Sequence, residues 1–184
     1  MGTFVTINCK YICNGPITIM YIINNKRQIE RIKDMVTLRK NMETYEVFYH
    51  DPATGKLWKS FFPRGNKSHN GPKLLRTEPL PDNLELQLEI CLNSPDDSDA
   101  IGLGIECSVK PEQWKQIIEI LDRNRNNYLR THLSTFIKHL GVLKPEESLK
   151  EIKIDPREVG LEQDSLLQIK KKAKRIKLKR FFRL

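Results

Sequence analysis

The sequence predicts an α+β domain: antiparallel hairpins packed with one long C-terminal helix, then a basic extension that is either helical or disordered. Three observations lead there. Two aromatic β-prone runs, YEVFY and LWKSFF, flank the turn-forming DPATG. Leucines alternate with polar residues from Leu84 to Leu92. From Trp114 to Leu140, apolar residues recur near the helical period.

The elements follow in order. Phe4, Val5, Ile7, Tyr11 and Ile12 form a β-prone run, Asn14-Gly15-Pro16 a turn, and ITIMYII from Ile17 a second run, together a hairpin. Asn24 or Asn25 can cap a helix with Ile29, Ile32 and Met35 or Val36 on its apolar face. A longer-loop hairpin follows, its strands joined by Asp51-Pro52-Ala53-Thr54-Gly55, where Pro sets φ and Gly accepts a positive one. Leu84, Leu86, Leu88, Ile90 and Leu92 alternate with Glu85, Gln87 and Glu89, which reads as a half-buried strand. AIGLGIECSV has the same habit after the polar loop SPDDSD, so the two are expected to pair antiparallel. Pro111 opens the long helix, which carries Trp114, Ile117, Ile118, Leu121, Tyr128, His132, Phe136 and Leu140. The polar run DRNRNN at 122–127 is a place where it can divide, and Gly141 ends it.

A chain of 184 residues suits one well-cored domain, expected over 1–141, with a charged extension over 142–184. The extension contains Leu161, Leu166, Leu167 and Ile169 before its basic end. No run is long and apolar enough for a transmembrane span. The first residues read as strand rather than as a secretory signal, so a cytoplasmic location is expected. The four cysteines, Cys9, Cys13, Cys91 and Cys107, lie in apolar surroundings and read as reduced core residues. The spacing of Cys9 and Cys13 is not that of a zinc knuckle.

The formal net charge of +9 and pI near 9.4 come from one segment. Lys170, Lys171, Lys172, Lys174, Arg175, Lys177, Lys179, Arg180 and Arg183 lie in residues 170–184 without an acid among them. Without those nine, the remaining bases of the 32 equal the 23 acids, so the body is neutral. Such a tail can bind RNA or DNA phosphates with salt-sensitive, sequence-blind affinity. An anionic membrane or an acidic protein would meet the same chemistry.

Catalytic signatures are sparse. His50, Asp51 and His69 could supply a base, a carboxylate or metal ligands, but no further ligand follows at a definable spacing. His132 and His139 stand two helical turns apart, too far to share one metal. AIGLGIEC contains only part of a glycine-rich phosphate loop. No catalytic residue, metal or cofactor is therefore assigned, and a His50/Asp51/His69 hydrolase is the least favoured reading.

Tyr49, Asp51, Pro52, Gly55, Trp58, Phe62, Pro63, His69, Gly71, Pro72 and Leu75 follow a recognisable order. Over roughly residues 25–80, with a helix at Arg27 to Leu38 ahead of it, this segment resembles a bacterial polymorphic-toxin immunity family. It has Lys59 where that family is acidic, and Asn70-Gly71-Pro72 for a longer glycine–proline run. The resemblance implies a small cytoplasmic protein without catalytic activity that inhibits a cognate toxin by binding it. Tyr49, Asp51, Trp58, Phe62 and His69 are then the candidate partner-binding residues, on a hairpin stiffened by Pro52, Pro63 and Pro72. Alternation leaves either Trp58 with Phe62, or Leu57 with Phe61, facing the core. The alternative is a nucleic-acid-associated accessory protein acting through the 170–184 segment.

Overall fold

The computed structural model describes residues 19–64 and 71–182. It is an α+β structure built on a five-stranded antiparallel sheet. The strands are β1 (Tyr21–Ile22), β2 (Val36–Asn41), β3 (Glu46–His50), β4 (Leu57–Phe61) and β5 (Leu74–Glu78), in spatial order β1-β5-β4-β3-β2. Among the described residues seven α-helices accompany it: α1 (Asn25–Ile32), α2 (Leu84–Leu92), α3 (Asp97–Ser108), α4 (Trp114–Asn124), α5 (Arg130–Leu140), α6 (Pro145–Ile152) and α7 (Gln163–Phe182).

Strand alternation sorts the core into two layers. Tyr21, Phe61 and Leu74 join the large helical core, whereas Ile22, Tyr49, Trp58 and Leu75 form a smaller one with Ile32 and Met35. Ile22 lies opposite Leu75 in the ladder, and Tyr49 opposite Trp58. The sheet thus has α1 against one face and α3 against the opposite face at its β1 end, with the larger helical core built behind α3.

The expected β3–β4 hairpin is present, with Val47 opposite Ser60 and His50 opposite Leu57. Of the expected N-terminal hairpin, Tyr21 and Ile22 form β1, paired with β5. Its proposed first strand and turn at residues 4–16 lie outside the described residues. β5 has no counterpart among the expected strands. That segment is short, and its residues are sorted between two cores rather than along one amphipathic face.

Asn24 caps α1 as expected, its Oδ1 accepting from Arg27 N at 3.2 Å. The helix stops at Ile32, however, and the residues expected to prolong it to Leu38 turn into β2. Ile29, expected on the apolar face, is exposed. Gln28 is buried instead, donating through Nε2 to the carbonyls of Ile22, Ile23 and Lys73 at 2.8, 3.1 and 2.9 Å. One amide thereby ties the helix to the ends of β1 and β5.

The two alternating segments are helices, not an antiparallel strand pair. In α2 the inherent helix preference of Leu, Glu and Gln prevails. Asn83 supplies the start, accepting from Glu85 N at 2.8 Å and Leu86 N at 3.3 Å. Leu88, Cys91 and Leu92 are buried at helical spacing, while Leu86, required by the alternation, is exposed. In α3 Asp96 caps, accepting from Ser98 N at 2.9 Å. Every residue from Gly102 to Ser108 is buried, so the helix lacks the polar stripe that would have betrayed it. The G-x-G within it serves close packing. A Cβ on Gly102 would stand 2.5 Å from the Tyr21 ring, and one on Gly104 3.0 Å from Phe136 O of α5.

The long C-terminal pattern is broken where the polar run lies: α4 ends at Asn124, a single 3₁₀ turn spans Arg125–Asn127, and α5 follows. Gly141 terminates α5 at φ +82°. His132 is buried and His139 sits in the last turn of α5, where burial lowers its pKa. Cys91 and Cys107 are free buried thiols, and burial pushes Cys107 up to about 12. Cys9 and Cys13 lie outside the described residues. Leu161, Leu166, Ile169, Ala173 and Ile176 belong to the same core cluster as α4 and α5. The apolar stripe of α7 is thus spent on packing, and Leu167 stays exposed.

Candidate interaction surfaces

Asp51 organises the β3–β4 turn from within. Its carboxylate accepts from Thr54 Oγ1 at 2.6 Å, from Ala53 N at 3.0 Å, and from the Arg31 guanidinium. The Thr54 hydroxyl, the Ala53 amide and Arg31 hold its pKa below the ordinary range against the opposing effect of burial. Gly55 closes the loop at φ +68°, its N–H donating to Asp51 O at 2.8 Å. Arg31 also lies over the Trp58 ring, 5.4 Å from its centroid. One arginine therefore couples α1 to both the turn and β4.

Of the five partner-binding candidates, three are interior. Tyr49, Asp51 and Trp58 are buried, Trp58 to 3% exposure, and they form the frame of the hairpin. Burial raises the Tyr49 pKa. Phe62 is half-buried and lines a cleft with Pro63, Lys59 and Glu46. His69 lies outside the described residues. Both faces of β4 carry core residues, since Trp58 enters the smaller core and Phe61 the larger. Leu57 is the outward apolar residue of that strand.

His50 and Asp51 do not converge. His50 shares the sheet face of Leu57 and Val36, opposite the face of Tyr49 and Trp58. Among the described residues no group of three His, Cys, Asp or Glu side chains could hold a metal.

What the hairpin exposes is an edge. Among the described residues β2 is the terminal strand, pairing with β3, and it presents Val36 and Leu38 to solvent, Leu38 at 56% exposure. The β2–β3 register shifts between Thr37 and Arg39, so Leu38 occupies an irregularity that alternation could not anticipate. Met42 and Leu57 extend this apolar rim, while Arg39 and Lys59 flank the Phe48 ring at 4.6 and 5.5 Å.

A second polar centre lies inside the fold. Glu106 of α3 accepts from Tyr21 Oη at 2.9 Å, from Arg76 Nη1 at 2.5 and 2.6 Å, and from Lys110 Nζ at 3.1 Å. Arg76 also reaches Glu78 at 2.8 Å and lies 5.1 Å from the Phe61 ring centroid. Burial opposes the charged form of Glu106, but Arg76 and Lys110 outweigh it and the pKa is lowered. With every oxygen engaged, this is a tie between sheet and helices rather than a reactive carboxylate.

The basic C-terminal segment is helical through Phe182. Arg175 is paired with Asp122 of α4 at 2.5 Å. Lys170, Lys174 and Lys177 share the flank of α7 that faces α5 and α6, where they line a groove of about 870 Å³ with Lys138, Lys144, Leu143 and Leu178. Counting charge along the tail could not reveal Lys138 and Lys144, which come from other elements. Arg183 lies outside the described residues. No helix among the described residues is long and apolar enough to cross a membrane. No family model, curated protein or solved structure matches the chain.

Proposed function

We propose that the protein is a non-enzymatic cytoplasmic binding protein of the toxin-immunity kind, which acts by occluding a protein partner. The observation that carries this reading is the β2–β4 region: a hairpin braced by Asp51, Arg31 and Trp58, with Val36, Leu38 and Met42 exposed at the β2 edge and Leu57 exposed on the adjoining sheet face. A stiff support lowers the entropy lost when a partner docks, and exposed apolar side chains supply contact area. In this reading Tyr49, Asp51 and Trp58 hold the surface in shape, and the β2 rim makes the contact. An open strand edge can also pair with an extended segment of the partner.

The test is growth rescue. A toxin-like reading frame adjacent to this gene is expressed with and without the protein. Rescue by the natural sequence and its loss in Leu38→Asp, with folding retained, are expected. Failure of the natural sequence to rescue or to co-purify with the toxin rejects the reading.

A further inference from the structure

The immunity reading leaves the basic helix without a task, and the groove beside it offers one. Around α6 the acids are already engaged: Glu146 with Lys170 at 3.7 Å, Glu147 with Lys144 at 2.8 Å and Glu151 with Arg64 at 3.0 Å. Lys138, Lys174 and Lys177 have no ion-pair partner among the described residues, yet all three line the same groove. Lys170, Lys174 and Lys177 succeed one another at about 6 and 4.5 Å of helical rise, and Lys138 faces them from α5. Leu143 and Leu178 add apolar lining to the groove, and its two acids are the already paired Glu147 and Glu151.

This pattern selects among polyanions. An amphipathic helix binds a bilayer by inserting its apolar face. In α7 that face, Leu166, Ile169, Ala173 and Ile176, is buried in the core. A rigid duplex would meet only the rim of a groove bounded by three helices. A single strand can follow successive lysines with its phosphates and lay bases or sugars against apolar side chains.

We propose that the α5–α6–α7 groove is a phosphate-backbone site for single-stranded nucleic acid, held by Lys138, Lys174 and Lys177 with Lys170 at one end. The site takes no part in binding the protein partner at β2, so it stands or falls separately from the immunity reading.

Fluorescence anisotropy of the full chain with labelled oligo(dT) and oligo(U) tests it. Three phosphate contacts give a salt slope near −2, a weakening of about 20-fold between roughly 50 and 200 mM salt. The triple variant Lys138→Glu/Lys174→Glu/Lys177→Glu should lose binding by about 10-fold or more at low salt. The corresponding Gln triple should lose less but also flatten the salt slope. Lys26→Glu/Lys33→Glu/Lys115→Glu, an equal charge change at exposed lysines elsewhere, should retain most binding. No binding at low salt, equal loss in the groove and control triples, or capture by phosphatidylserine vesicles but not by oligonucleotide would each overturn the proposal.

Discussion

Gly102 of α3 lies flat against the ring of Tyr21 in β1, so close that a Cβ would fall 2.5 Å from the ring carbons. Tyr21 cannot easily retreat. Its hydroxyl donates to Glu106 at 2.9 Å and its backbone N–H to Asp99 Oδ1 at 2.6 Å. Gly102→Ala should therefore act as overpacking, costing about 1–3 kcal/mol. Urea denaturation should show a lower midpoint with little change in slope. An unchanged midpoint would mean that the β1–α3 contact is more yielding than its hydrogen bonds imply.

Glu106 makes stability depend on acid. Its folded pKa lies below the ordinary 4.5, because Arg76 and Lys110 outweigh burial. The stability it contributes is thus complete above about pH 4.5 and is lost as pH falls through the depressed folded value. Glu106→Gln should cost about 3–5 kcal/mol at neutral pH by leaving the Arg76 charge inadequately paired. It should also flatten the dependence of the denaturation midpoint on pH below that window.

Asp99 carries the opposite sign. Burial raises its pKa above the ordinary 3.8, despite hydrogen bonds from Ser94 and from the Tyr21 and Met20 amides. The folded state therefore holds the proton more tightly, a contribution complete below about pH 3.8 and lost as pH rises through the folded value. Asp99→Asn keeps an acceptor for Met20 N and Tyr21 N without a charge, and should equal or exceed the natural protein in stability at pH 7. Asp99→Ala strands both amides and should lose about 1–3 kcal/mol. Thermal melts of the two variants separate the effects. Equal losses would show that the charge itself is needed.

Trp58 and Leu38 separate frame from contact. Trp58→Ala empties the smaller core, for about 3–5 kcal/mol, and should weaken partner binding only by loosening the hairpin. Leu38→Asp sits on the exposed rim and should leave the melting temperature nearly unchanged while weakening capture of the partner. The check is a paired melting and pull-down series. A Leu38→Asp protein that binds normally would remove β2 from the interface.

Local chemistry was legible in the sequence wherever neighbouring residues suffice to decide it. Asn24 begins a helix, Asp51-Pro52-Ala53-Thr54-Gly55 turns a hairpin, the run at 122–127 divides the long helix, and Gly141 ends it. These features need only a cap, a fixed φ, a polar interruption or a positive φ. Tertiary structure decided the rest. Leu84–Leu92 alternates along the sequence yet packs Leu88, Cys91 and Leu92 inward at helical spacing, and the segment after Asp97 is buried on nearly every side, which hides the helical stripe of α3. Trp58 turned inward because α1 brings Arg31 and Ile32, and the turn after it Met35, over its face of the sheet, a contact that alternation within one strand cannot foresee. The basic tail became one wall of a groove because its leucine and isoleucine stripe packs on α4 and α5, which sets its lysines beside Lys138. Charge can be counted along a chain, but which charges share a site depends on the helices that bury the residues between them.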